Sequence, residues 1–493
     1  MRRHRLLVLL MLSALCGCAR MGPVDEMAPY RPAMQVAAQG QLDGLGRMPR
    51  YDIRLRVDPA AEQQVTGWER VQVVHRGQDV LGDLFFRLYP NLPQYSGSMF
   101  VGGAAVNGQT VPFTYEAQNT AVRIVLPEPL PPEGKAAVEF SFGLRVPRRE
   151  EGYVLCGESQ GILSLPLFYP VLAVRDERTG LPLWRLDIAP PTHGDVAYVQ
   201  MGLYQVTATV PSGIVVAATG TVVSTTVSSV GEGWVDLHIV GGPRREFMLI
   251  LSPQFQTAST DACGARVTSY FLPQDQATGQ AALQYAAAAL RVYCQHYSPY
   301  PFRDMAVVSA PIRYYGMEYS GLNLIGLDLY RQQRKGLEFL IVHEVAHQWW
   351  YNMVGNDPLT YPWLDEGLAE YSTYTYQKAR YGEDVAEALV ERRWRSPYEY
   401  AVEQGLDAVV NQPSSAFSVA NYETMIYAKA ALFFDAVRRE VGEETYYRLL
   451  REYLHRYRWG EATPADFLAV AEEISGHDLG AIYQRWILTA LEP

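Results

Sequence analysis

The sequence predicts a multidomain α+β protein, with an all-β N-terminal domain followed by a mainly helical domain. Three observations predict it. From Tyr51 to about Tyr270 apolar residues alternate with period two, and after Asp275 the period becomes helical. At 493 residues, with 48% hydrophobic and 19% charged content, the chain is long and apolar enough for two or three cored domains.

Residues 1–17 read as a targeting segment: Arg2, Arg3, His4 and Arg5 precede the apolar run Leu6 to Leu12. That run is too short to cross a bilayer as a mature helix. It leads into Leu15-Cys16-Gly17-Cys18, which resembles a bacterial lipobox. The resemblance implies cleavage before Cys18, lipid attachment to its thiol, and a protein exported and anchored to the outside of a bacterial membrane, either the cell membrane or the outer membrane. An ordinary secretory signal is the alternative. Residues 18–47 hold Gly22, Pro23, Pro29, Pro32, Gly40, Gly44 and Gly46 without periodicity and read as a flexible tether.

Residues 48–270 form the β-rich domain. Tyr51-Asp52-Ile53-Arg54-Leu55-Arg56-Val57 alternates cleanly, and Val71 to His75, Ala121 to Leu126 and Ala137 to Phe142 do so less regularly. Asn107-Gly108 is a tight-turn dipeptide between such runs. His75, His193 and His238 are scattered and read as surface or hydrogen-bonded histidines, and Glu158-Ser159-Gln160 as a polar loop that could otherwise reach a cleft. Cys156, Cys263 and Cys294 are an odd number, so they allow at most one disulfide; they read as buried thiols.

Residues 271–493 form the second domain. Gln280 to His296 is Ala-rich with helical spacing and is broken by Pro299 and Pro301. Met305 to Ser309 reads as a short strand. Later helices run approximately from Tyr422 to Val441, Glu443 to Tyr457, Pro464 to Ile474 and Leu479 to Leu488. Thr463-Pro464-Ala465-Asp466 is a helix start with a capping hydroxyl, a proline in the first turn and an acid three residues on.

The chemistry lies between these helices. In His343-Glu344-Val345-Ala346-His347 two histidines four apart leave one helix face, where two imidazole nitrogens can hold Zn²⁺ with Glu344 in reach of water at the metal. Eighteen residues later, Trp363-Leu364-Asp365-Glu366-Gly367-Leu368 starts a second helix whose Glu366 can return a carboxylate to the same ion. Two His and one Glu leave a position open, as in a catalytic zinc site. Glu370, one turn on, orients a histidine or lies in solvent. Asp365 caps the helix or accepts from a ligand. Trp349 and Trp350 read as core. The net charge of −11 argues against a nucleic-acid partner.

With these flanks the chain resembles the M1 family of zinc metallopeptidases, the gluzincin aminopeptidases, from about residue 47 onward. The resemblance implies the β-rich domain packed on a thermolysin-like catalytic domain with one Zn²⁺ per chain on His343, His347 and Glu366. Tyr315-Gly316-Met317-Glu318-Tyr319 stands where the family has Gly-x-Met-Glu-Asn. It implies substrate binding by Gly316, Met317 and Glu318, with Glu318 on the free α-amine and Tyr319 in place of Asn. Tyr427-Ala428-Lys429-Ala430 matches the Tyr-x-Lys-Gly setting, which implies that Tyr427 is catalytic beside Glu344. Lys429 reads as a surface charge or one supporting the site. The implied function is removal of N-terminal residues from peptides with a free N-terminus, in a compact two-domain form with a more open cleft. An endopeptidase or other hydrolase on the same scaffold, or a non-catalytic zinc-binding lipoprotein, are the alternatives.

Overall fold

The computed structural model describes residues 25–176, 183–188, 193–313, 315–332 and 334–491. The targeting segment 1–17, the lipidation residue Cys18 and tether residues 18–24 lie outside the described residues. No helix among the described residues is long and apolar enough to cross a membrane.

In the strand Arg50–Val57, alternation buries Tyr51, Ile53, Leu55 and Val57 and leaves Arg54 and Arg56 in solvent. This strand runs parallel to Gly202–Pro211 and antiparallel to Val65–Val74, at the middle of an eight-stranded sheet. A four-stranded sheet around Leu81–Arg87 and a five-stranded sheet around Met248–Ser252 share its core. The stacked rings of Tyr51 and Tyr204 lie in that core, 4.8 Å apart. Glu158 is in a hairpin strand, Gly157–Ser159, and pairs with Arg148, so the segment read as a polar loop is a sheet element.

One core residue breaks the pattern. Glu69, opposite Ile53 and Phe140, is fully buried, and neither of its oxygens has a hydrogen-bond partner among the described residues. Burial pushes its carboxyl well above the usual value of 4.5. Below that value both folded and unfolded chains hold the proton. Above it only the unfolded chain releases it freely, so stability is lost as pH rises. Glu69→Leu is expected to raise stability by about 1–3 kcal/mol. The gain in melting temperature should be larger at pH 8 than at pH 5; calorimetry at the two values checks this.

The second domain is built on a five-stranded sheet beside helices. The hairpin of Gln256–Ala262 and Ala265–Phe271, counted with the N-terminal domain in the sequence reading, pairs with this sheet through Asp304–Ala310. Cys263, at the hairpin turn, is disulfide-bonded to Cys294 on the helix Gln276–His296. The expectation of buried thiols therefore holds only for Cys156. Closing this loop contributes about 2–4 kcal/mol.

The segment read as a flexible tether is ordered where it is described. Residues 28–47 form three short 3₁₀ helices, with Met27, Tyr30, Ala33, Met34, Ala38 and Leu42 buried in the second domain's core cluster, and the first helix also lies on the strands Gly202–Pro211 and Trp234–Arg244 of the first domain. Gln35 Nε2 donates to the carbonyls of Cys263 and Tyr300, both at 2.8 Å. The spacing of three in Met27, Tyr30 and Ala33 is the 3₁₀ repeat, which neither a 3.6 nor a 2.0 template detects.

The helix Pro464–Ser475 begins with the expected reciprocal cap: Asp466 N–H donates to Thr463 Oγ1 and Thr463 N–H to Asp466 Oδ2. The helix Pro362–Tyr381 starts with proline in its first turn. Tyr293 ties the two central helices together, its hydroxyl 3.1 Å from the carbonyls of both Val342 and Ser372.

Candidate metal centre and active site

The helix Leu337–Ala346 is apolar apart from Glu338, His343 and Glu344 and is buried from Ile341 onward, so it serves as an internal strut rather than a surface helix. His343 and Glu344 lie in its last turn and His347 caps it with helical torsions. Glu366 comes from the first turns of Pro362–Tyr381. His343 Nε2, His347 Nε2 and Glu366 Oε2 form a triangle with every edge 3.2 Å. Ligand atoms about 2.0–2.1 Å from a tetrahedral Zn²⁺ stand about 3.3 Å from one another.

The donor chemistry fits as well. His347 Nδ1 donates to Trp350 O at 2.9 Å, and His343 Nδ1 faces Glu370 Oε2 at 3.2 Å. With His347 Nδ1 bonded to a carbonyl and His343 Nδ1 facing a carboxylate, both Nε2 atoms stand with Glu366 Oε2, an assembly of three donor atoms that suits a cation. The fields agree. Burial alone would lower His347, but the charges of Glu318 and Glu366 reverse this and push it up to about 10. Burial would raise Glu366, yet its contacts with His343 and His347 hold it below the usual carboxylate range.

Glu370 is the orienting acid. Its other oxygen accepts from Trp394 Nε1 at 2.8 Å, and the ring reaches it from a π-helical turn, Val390–Arg395. Glu370→Gln is expected to weaken zinc binding about 10–100-fold without unfolding the chain, as read by competition with a chromophoric chelator.

Glu344 is 4% exposed, and Oε2 has no hydrogen-bond partner among the described residues. Burial, then the charge of Glu318, pushes its carboxyl up to about 8. Gly316 packs against it, and a Cβ there would collide with Glu344 Oε1. Gly316–Met317 is an edge strand antiparallel to Leu322–Gly326, which sets Glu318 beside the metal helix. Glu318 is buried, and burial first of all raises its carboxyl. Tyr319, in the place of Asn, is buried in an apolar cluster. Tyr427 lies on a second π-helical turn, Thr424–Lys429, and its hydroxyl donates to Glu366 Oε1 at 2.7 Å. The structure thus brings together every expected catalytic, metal and substrate-binding residue within the described chain.

Sequence reasoning missed the contribution of the first domain. His193 Nε2 lies 3.0 Å from Ser414 O, and its ring lies tilted against that of Tyr422, 4.2 Å between centroids. Of the two readings, surface or hydrogen-bonded, His193 is the hydrogen-bonded one, and its bond crosses between the domains. Gly194, at φ +75°, leaves room for the Tyr422 hydroxyl. Asp195 follows, its carboxyl raised by burial and then by the charge of Glu318. With Glu246, Glu318, Tyr95, Tyr319 and Tyr351 it lines a cavity of about 20 Å³, room for about one water. No spacing signal ties residues 193–197 to a motif some 150 positions away. Lys429, read as a surface or supporting charge, is wholly buried.

Residues 281–486 match the model of the Peptidase family M1 domain. Aminopeptidase M1-A of Oryza sativa subsp. japonica is 24% identical over 245 residues, 45% of this chain and 27% of that protein. The alanine/arginine aminopeptidase of Saccharomyces cerevisiae is 26% identical over 235 residues, with the same coverages of 45% and 27%. The chain thus spans about a quarter of the length of these curated relatives (27%). The crystal structure of an M1 zinc metallopeptidase from Deinococcus radiodurans superposes with a TM-score of 0.66 at 20% identity, covering 91% of this chain and 95% of that one. A mutant of that protein has been solved with a Tyr-Ser-Ala substrate, at a TM-score of 0.65. Residues 281–486 thus resemble a Peptidase family M1 domain, and with the β-rich domain beside them they have a fold like that of the two-domain M1 zinc metallopeptidase structures.

Proposed function

We propose that this chain is a zinc aminopeptidase that removes single residues from peptides with a free N-terminus. One observation carries the reading: a three-donor metal triangle with 3.2 Å edges stands beside a buried acid, Glu318, whose field is felt by His347 and Glu344. A buried carboxylate beside the metal donors suits a substrate with a free ammonium, which favours an aminopeptidase over an endopeptidase. The unpartnered Glu344 and the placement of Tyr427 argue against a purely structural zinc site, which needs neither.

His343, His347 and Glu366 would hold the ion. When bound, zinc supplies Lewis acidity, polarising the scissile carbonyl and making water acidic enough to attack near neutral pH. Glu318, with Asp195 nearby, receives the substrate ammonium and sets the cut one residue from the end. Glu344 takes the proton of the attacking water and returns it to the leaving amine. Tyr427 donates to the oxygen on which charge develops. Met317, Asp195 and Ala197 line the cavity beside Glu318.

The test compares a free-amine peptide with its N-acetylated form. A free-amine preference of about 10²-fold or more is expected, falling at least tenfold in Glu318→Ala, because a buried charge pair is lost. Equal turnover of the two peptides overturns the reading in favour of endopeptidase action.

For localisation, the reading is export with a lipid anchor on Cys18. The Cys263–Cys294 disulfide supports an oxidising compartment. Mass spectrometry of the mature N-terminus tests it: a diacylglyceryl-modified Cys18 is expected, and an unmodified start elsewhere rejects the anchor.

A further inference from the structure

Behind Tyr427 the structure contains an ion pair that the mechanism does not use. Lys429 ends the same π-helical turn, and both its side chain and that of Asp407 have no exposed surface. The ammonium has three protons and three acceptors: Asp407 Oδ1 at 2.7 Å, Ala408 O at 2.9 Å and Thr489 O at 2.8 Å. Asp407 is equally engaged. Its Oδ1 also accepts from Ala408 N–H, and its Oδ2 from Leu491 N–H at 2.7 Å and the Tyr398 hydroxyl at 3.1 Å. Two residues apart on one turn, Tyr427 and Lys429 leave opposite faces, one into the cleft and one into the C-terminal segment.

The same short stretch also reaches the helix that carries Glu366. Val410 and Asn411 N–H groups donate to Ile487 O, at 3.0 and 3.2 Å. Asn411 Oδ1 accepts from Trp363 Nε1 at 3.2 Å, one turn before Glu366. Residues 407–411 therefore bridge the turn bearing Tyr427, the C-terminal segment 487–491 and the start of the glutamate helix. A π-helical turn holds one residue more than an α-turn and is rare in isolation, so it persists where surroundings enforce it.

We infer that Lys429 is a positioning residue for Tyr427: the buried Lys429–Asp407 pair, strapped by residues 487–491, sets how far the Tyr427 hydroxyl stands from the metal ligands. This rests on the assignment of Tyr427 as the oxyanion donor. Lys429 touches no reacting atom, and its effect reaches the reaction only through the tyrosine.

The test is a double-mutant cycle on the full chain, reading kcat, KM and zinc content. Changing both partners, Lys429→Met with Asp407→Leu, leaves no lone buried charge. In the Tyr427 background this pair is expected to lower kcat by about tenfold, with KM within about twofold and zinc content unchanged. In a Tyr427→Phe background it should change kcat by less than about twofold. An equal loss in both backgrounds, or no loss in the first, overturns the inference. If Tyr427→Phe alone leaves kcat unchanged, the oxyanion assignment fails, and this inference falls with it before Lys429 is altered. Leu491→Pro is the second variant. It removes the N–H that binds Asp407 Oδ2 at a residue whose side chain is exposed, so it keeps the test alive if the paired variant does not fold. It should lower kcat about threefold, again only where Tyr427 is present, and a loss independent of Tyr427 counts against the inference.

Discussion

Glu344→Gln is expected to lower kcat by about 10²–10⁴-fold while the protein keeps its zinc. The amide has the volume of the carboxylate, so contact with Gly316 is retained and no Cβ or cavity is created. Gln cannot take a proton from water, and that is the property removed. The folded state should not suffer, because Glu344 is buried with an unpartnered oxygen and an elevated carboxyl, so neutralising it relieves rather than adds a desolvation cost. Metal analysis, a melting curve and steady-state rates on one preparation check all three points. Chelation gives the contrasting result: activity disappears with the metal and returns with added Zn²⁺. Substantial turnover by zinc-loaded Glu344→Gln removes the base assignment.

Tyr427→Phe is expected to lower kcat by about 10²–10³-fold with little change in KM. Its hydroxyl sits 2.7 Å from Glu366 Oε1, against the metal triangle, so it can meet an oxygen that gains charge there. The ring stays, packed 5.8 Å from His343 and 6.2 Å from Tyr422, and the fold is therefore preserved. Loss confined to kcat marks an interaction made only in the transition state. A parallel rise in KM and loss of zinc would instead make Tyr427 a support for Glu366.

Much of this site was legible because its signal is local. His343, Glu344 and His347 are placed by helix periodicity alone, and Glu366 by the start of the next helix, so short-range geometry carries four of the central residues. The same holds for the strand Arg50–Val57 and the cap at Thr463, each decided within a few residues. Glu370 was ambiguous because a helix face does not reveal what covers it. Trp394, on a π-helical turn with no hydrophobic period of its own, turns that acid into a support for His343.

Residue type and spacing by themselves determined the chemistry: two imidazoles, a carboxylate and a base at intervals that bring them to one ion. Only the tertiary structure decided what surrounds that chemistry. His193 reaches Tyr422 across the domains, residues 25–47 pack between them, Cys263 pairs with Cys294, Glu69 is sealed without a partner among the described residues, and Lys429 is turned inward onto Asp407. The physical reason is common to all five. Each depends on desolvation by segments distant along the chain, and burial is a property of the whole packing that no local period encodes.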